Sequence, residues 1–279
     1  MTITVLDYFA SLVQQTDSLL LFEAALSLGQ DIDPALDLSA PQMEVDIFGA
    51  KLLKRLPADV SHVQKLRMLN HFFYQELGFA GNANDYYHPD NSYLHRVIST
   101  RRGIPISLAM VYIELAQQIG LQICGISFPG HFLMKLSVQS GEIILDPFNG
   151  SSLSREELEE RLEPYIPPRP DGAASALTAY LQPAPARDIL VRMLRNLKAV
   201  FLEQHAWARL LGVQERLVIL LPDDVLERRD RGLAYARLEC PQAALQDLEL
   251  YLARRPYAAD AEMLRRSLPA LRDAAKRLS

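Results

Sequence analysis

The 279-residue chain holds only two cysteines and one tryptophan, and it has no excess of positive charge. Two thiols are too few for a disulfide scaffold, and Cys124 and Cys240 lack the paired spacing of a zinc knuckle. Neither a metal nor any other cofactor is expected. A formal net charge of −5 leaves no broad positive field to collect nucleic acid or an anionic membrane surface. No apolar run approaches the ~20 residues that span a bilayer. The opening stretch is interrupted by Asp7, Asp17 and Glu23 and lacks the basic n-region of a secretory signal. These absences lead to the expectation of a soluble cytoplasmic protein with no nucleic-acid partner.

What is present describes an ordinary globular chain: 49% hydrophobic and 23% charged residues, enough apolar surface for a core. The length suits two modest domains. Apolar positions at helical spacing predict two short helices between Thr4 and Leu28. A third is expected around Met43 to Leu53 and a fourth around Val63 to Leu77. GNANDYYHPDNS gathers turn-forming residues and predicts an ordered loop, followed by a helix from about Ser92 to Thr100 with Asn91 or Ser92 as its cap. His88 and His95 lie seven residues apart in this region. With His88 in the loop before a proline, they read as surface or hydrogen-bonded histidines rather than a metal pair.

Pro105 suits the first position of a helix, where its missing N–H costs nothing, and Gly120 suits the end. The residues between them are apolar on nearly every face, as in a centrally buried helix. LQICGISF, HFLMKLSV and EIILD then predict three short antiparallel strands. Ser154 with Glu157 forms a capping box that opens another helix through Leu162. EPYIPPRPDG, with its four prolines, is the expected domain boundary. Beyond it Pro222 and Pro256 stand 34 residues apart, the tetratricopeptide period. In that register Phe201 falls under Tyr235, Leu211 under Leu245 and Leu217 under Tyr251. The expected division is residues 1–163, a linker at 164–185, and a repeat domain at 186–279.

The central segments carry a constellation. His131 opens one strand and Asp146 closes the next, a spacing that lets neighbouring strands bring the two side chains together. In thiol chemistry such a pair exchanges protons with a cysteine at a helix N-terminus. The residue at that helix start is Pro105, which has nothing to attack with. Ser107 is the nearest hydroxyl, but two helical residues rotate it by roughly 200°. Cys124, on the strand before His131, has no cation beside it in sequence and reads as a packing residue.

The segments RRGIPISLAMVYIELA, FPGHFLMKL and ILDPFNG resemble the nucleophile helix, histidine strand and aspartate strand of the transglutaminase-like, papain-related fold. Taken with YYHPDNSYLHRVIST and the repeats, they closely resemble the SirB-one family of bacterial proteins, from about residue 40 to 265. The resemblance implies an α+β architecture: a helical N-terminal region, a transglutaminase-like core with a small antiparallel sheet, and then all-α tetratricopeptide-like hairpins. It also implies a signature of Asn91, Arg101, Gly103, Ile104, Pro105, His131, Asp146, Pro147 and Asn149, with Asn91, Arg101 and Asn149 as candidate pocket residues beside His131 and Asp146. The family pattern itself reads Gly-Ile-Pro where related enzymes carry the cysteine. The expected function is therefore a non-catalytic adaptor or regulator whose helical repeats bind a protein or peptide. The alternative is a hydrolase or amide-transferring enzyme that uses His131 and Asp146 with a non-standard nucleophile such as Ser107 or Cys124. A third reading is a structural subunit whose pocket residues only hold the fold.

Overall fold

The computed structural model describes residues 3–14, 19–139, 141–167 and 172–278. The chain divides into two compact units, one of Leu19–Met193 and one of Met1–Ser18 with Leu194–Ser279. Helix α1 (Val5–Val13) belongs to the second unit. Thr4 accepts from the Asp7 N–H and the Asp7 carboxylate accepts from the Thr4 N–H, a reciprocal cap that fixes the start of α1.

The larger unit opens with α2 (Leu21–Ser27), α3 (Ser39–Leu53) and α4 (His62–Asn70). A π-helical turn, His71–Glu76, extends α4. Strand β1 (Ala80–Gly81), α5 (Leu94–Thr100) and β2 (Arg102–Gly103) follow, with β1 and β2 paired in parallel. The expected cap of α5 differs from the observed one. The N-cap is Tyr93, which makes no side-chain capping bond, because Asn91 and Ser92 are buried in the preceding loop.

Helix α6 (Pro105–Gln118) starts on its proline as its sequence requires, and eleven of its first twelve residues are buried. Burying each large aliphatic side chain contributes about 1.5–3 kcal/mol, so this helix is the main apolar anchor of the unit. Gly120 stops it with a φ of 71°, a conformation in which a side chain is disfavoured. The chain then forms β3 (Ile123–Ile126), β4 (Leu133–Val138), β5 (Gly141–Leu145) and β6 (Ser152–Leu153), an antiparallel sheet in that order. Met134 pairs with Leu145. Asp146 therefore leaves β5 beside the beginning of β4.

Helix α7 (Arg155–Leu162) carries the expected Ser154–Glu157 capping box. Within the proline-rich boundary segment, residues 168–171 lie outside the described residues. The remainder of 164–185, read from sequence as a linker, contains α8 (Gly172–Tyr180), and Leu177 on that helix packs with Ile126, Phe128, Leu133, Ile144, Leu158 and Leu162. Burial of Leu177 makes this stretch part of the sheet's outer core.

The repeats follow as α9 (Ala186–Glu203), α10 (Trp207–Leu220), α11 (Val225–Arg237), α12 (Pro241–Arg254) and α13 (Ala261–Arg277). Adding 34 to the ends of α10 gives 241 and 254, the ends of α12. The corner repeats as well. His205 and Glu239, again 34 apart, both take positive φ, 53° and 56°. Each is followed by an N–H that reaches back five residues, Ala206 to Phe201 and Cys240 to Tyr235, both at 2.9 Å. This is the left-handed closure that satisfies the last carbonyls of a helix. Leu217 and Tyr251, equivalent in the two repeats, are both buried. Among the described residues no helix is long and apolar enough to cross a membrane.

Candidate functional site

Asp146 sits at the centre of the site. Its Oδ1 lies 2.9 Å from His131 Nε2 and accepts from the Phe148 N–H at 2.9 Å, while its Oδ2 accepts from Arg161 at 3.0 Å. Burial pushes this carboxyl up, but the bonds from His131, the Phe148 N–H and Arg161 outweigh it and hold the group below the ordinary carboxylate range. Asp146 is thus an ionised hub with a partner on each oxygen.

The turn after Asp146 is held from behind by half-buried polar groups. Tyr74 donates to the Pro147 carbonyl at 2.9 Å and Asn70 to the Gly150 carbonyl at 2.8 Å. Tyr112 on α6 donates to Asn70 at 2.8 Å. Gly150 has a φ of 77°, and a Cβ there would come within 2.4 Å of the Tyr74 ring. Asn149 is exposed and accepts from the Ser151 N–H at 2.9 Å, a bond that shapes the turn.

His131 follows a tight turn in which its own N–H donates to Phe128 across Pro129 and Gly130. Arg192, from α9, clamps this turn: its Nη1 donates to Ser127 Oγ at 2.8 Å and to the Phe128 carbonyl at 2.9 Å, and its Nη2 donates to the His131 carbonyl at 2.8 Å. The His131 side chain remains 24% exposed, so the dyad is open to solvent on one side.

The segment from Ala80 to Asn82 ties the entrance of α6 to this dyad. Ala80 and Asn82 donate to the Arg101 and Gly103 carbonyls, each at 3.0 Å, and between them Gly81 donates in the opposite direction to the Phe148 carbonyl at 2.9 Å. The Phe148 ring lies flat against Gly81, where a Cβ would come within 2.1 Å of it. Backbone bonds thus run from the helix start through Gly81 to the residue that caps Asp146.

The nucleophile candidates are not brought into this cluster. Ser107 is fully buried; its hydroxyl donates to the Asn91 carbonyl at 2.5 Å and accepts from the Ile104 N–H at 3.1 Å. It works as a cap for the α6 start, with its hydroxyl committed to the Asn91 and Ile104 backbone. Cys124 pairs across the sheet with Lys135, four residues beyond His131 in the chain, and contacts its carbonyl at 3.6 Å. Burial raises its thiol above the ordinary range, the wrong direction for a nucleophile. Pro105 occupies the helix start as expected.

Asn91 and Arg101 also have other duties. The Asn91 amide donates to the Asp85 and Tyr86 carbonyls at 2.6 and 3.1 Å and accepts from Asn82 at 3.0 Å, which closes the loop before α5. Arg101 ends α5 in a left-handed conformation. Its guanidinium lies between the Phe48 and Phe79 rings, 4.8 and 4.9 Å away, and pairs with Glu44 on α3 at 2.7 Å. His88 accepts from the Asp90 N–H at 3.3 Å, and His95 packs against Gly29 and Tyr93.

Arg161 and Arg192 are the two site residues that the motif does not contain. Arg161 carries no sequence signal beyond its place on α7. Arg192 does carry one, since it interrupts the run Ile189–Leu190–Val191 and Met193–Leu194, all of them buried. A charge inside such a run requires polar partners.

The chain matches the model of the transglutaminase-like superfamily over residues 40–195 and a tetratricopeptide-repeat model over residues 197–269. It is 39% identical over 255 residues to a UPF0162 protein of Xylella fastidiosa, covering 89% of each chain. A UPF0162 protein of Vibrio cholerae is 32% identical over 261 residues, 91% of this chain and 93% of that one. Protein SirB1 of Salmonella typhimurium is 31% identical over 207 residues, 74% of this chain and 76% of that one. No solved structure matches.

Proposed function

The chain belongs to the transglutaminase-like superfamily and, within it, to the SirB1 family, and from that premise we propose that it is a non-catalytic adaptor or regulatory protein. The observation that carries this reading is the commitment of Ser107. With proline at the helix start, Ser107 is the nearest hydroxyl, and it is sealed in the core and bonded to backbone on both sides. Cys124, displaced along the sheet with its thiol pushed up, supports the same conclusion. The Arg161 bond to Asp146 adds to it, because a carboxylate shared with an arginine is a weaker partner for a developing imidazolium than an unshared one.

The repeats supply the other half of the reading. Stacked helical hairpins expose extended surfaces suited to peptide segments, and a protein or peptide is the proposed partner. The free Cys124 and Cys240 thiols suit a reducing cytoplasm.

The competing reading, a hydrolase or amide-transferring enzyme, draws support from the 2.9 Å contact of His131 with Asp146 at a solvent-open position. A turnover assay on the full chain separates the two. Ester, thioester and glutamine-peptide substrates are incubated with wild type and with His131→Ala, whose fold is verified by its melting curve. Equal background rates are expected; turnover abolished by His131→Ala would sink the non-catalytic reading.

A further inference from the structure

We infer that the surface formed by Arg192 and His131 is a receptor for a polypeptide carboxylate, an assignment that rests on the non-catalytic reading and names the ligand of that same site. Arg101 pairs with Glu44, Arg229 with Asp230 and Asp260, and Arg231 with Asp247. Arg192 is half-buried like them, yet its three bonds all go to neutral oxygens, and among the described residues no carboxylate pairs with it. Taking a guanidinium partly out of water without an anion is costly. An incoming anion would relieve that cost.

The donor count gives the shape of the anion. A guanidinium has five N–H groups. Two on Nη1 and one on Nη2 are committed to Ser127, Phe128 and His131, which leaves Nε–H and one Nη2–H. Two donors on one planar group match the two oxygens of a carboxylate. Asp146 is not that carboxylate, since its bonds go to Arg161, His131 and the Phe148 N–H and none to Arg192. Arg161 and Arg192 against Asp146 leave one positive charge in excess around the imidazole. His131 directs Nε2 to Asp146, so Nδ1 is the ring nitrogen left for a ligand.

The wall beside this charge is aromatic, which distinguishes a peptide from a bare ion. Tyr86 lies near enough to Arg192 and Asp146 for both charges to act on its phenol. Its ring centroid is 5.3 Å from that of Tyr87 and 6.4 Å from that of Phe148. Tyr87 is 70% and Tyr86 39% exposed. An apolar side chain next to a carboxylate would cover these rings while its acid reaches Arg192.

The test is an NMR titration of the 15N-labelled full chain with four probes: N-acetyl-leucyl-phenylalanine, its C-terminal amide, N-acetyl-glutamyl-phenylalanine amide, and inorganic phosphate. The free acid should shift the Phe128 to Phe132 amides and saturate, while its amide should not. Saturation by the glutamyl probe as well defines the ligand as any polypeptide carboxylate, and its failure narrows the ligand to chain ends. Arg192→Lys keeps the charge but loses the fork, and should weaken acid binding about tenfold, the worth of one charge-assisted bond. Equal shifts from acid and amide, or phosphate binding as tightly as the acid, would overturn the inference; neither comparison depends on a variant that folds. Cleavage of a probe, followed in the same tubes, would instead strike the non-catalytic reading and leave carboxylate binding standing.

Discussion

Arg161 and His131 share one carboxylate, each taking a different oxygen of Asp146, at 3.0 and 2.9 Å. The arrangement makes Asp146 an electrostatic keystone, and its contribution should be visible in acid. Its carboxyl is held below the ordinary range in the folded state, whereas an unfolded aspartate titrates near about 3.9. A depressed folded value means stability that is full above the unfolded value and is lost as pH falls through the folded one. Melting temperature measured from pH 6 down to strong acid should therefore drop less steeply below about pH 4 in Asp146→Asn than in wild type. Parallel curves would show that the carboxylate contributes nothing through its charge.

Ser107→Ala should destabilise the larger unit by about 1 kcal/mol, because it removes the hydroxyl bonds to the Asn91 carbonyl and from the Ile104 N–H and leaves only the direct 3.3 Å bond between those two backbone groups. Urea denaturation followed by tyrosine fluorescence reads this directly. A neutral substitution would mean that the direct bond between Ile104 and Asn91 suffices for both groups.

Gly81→Ala places a methyl group within 2.1 Å of the Phe148 ring. Overpacking of this kind costs about 1–3 kcal/mol. Because Phe148 also caps Asp146, the substitution should move the His131 imidazole resonances in NMR as well as lower the melting temperature. A stability loss with unmoved His131 signals would break the proposed link between the α6 entrance and the dyad.

In the repeats, Glu227 is buried and accepts from Arg195 at 3.0 Å and Lys198 at 2.6 Å. Glu227→Gln keeps the shape and removes the charge, and should cost about 3 kcal/mol, as for one partner lost from a buried ion pair. Thermal unfolding of the full chain provides the measurement; a shift confined to error would assign the cluster to solvent-screened surface pairing.

The two thiols should react at different rates. Cys240 is exposed, while Cys124 is half-buried with its thiol pushed up. Titration of the folded protein with a chromogenic disulfide should show one fast thiol, absent in Cys240→Ser, and one slow one. Two equal fast phases would contradict the burial of Cys124.

The parts legible in the sequence are those in which one physical requirement dominates. α6 is apolar on nearly every face and begins with a proline, so both its burial and its first residue could be read directly. The repeat register followed from two prolines 34 residues apart, and the left-handed corners at His205 and Glu239 obey it without a glycine to announce them. Contacts that depend on tertiary partners were not legible. Arg101 belongs to a recognisable motif, yet the stacked rings of Phe48 and Phe79 and the carboxylate of Glu44 determine its place. Helix α8 is composed of small residues between prolines, and only the apolar cluster around Leu177 gives it a reason to exist. Asp146 could be paired with His131 from strand spacing. Its other partner, Arg161, arrives from a helix whose orientation no local pattern encodes.

The backbone relay through Gly81 bears on how this site should be interpreted historically. The bonds that place Phe148 over Asp146 also anchor the entrance of the most buried helix in the unit. Loosening the dyad would therefore loosen the fold, and selection for folding alone suffices to preserve a His–Asp geometry after any chemistry has gone. On the non-catalytic reading proposed above, a well-formed dyad is a record of architecture. Evidence of present use has to come from what enters the open side of His131.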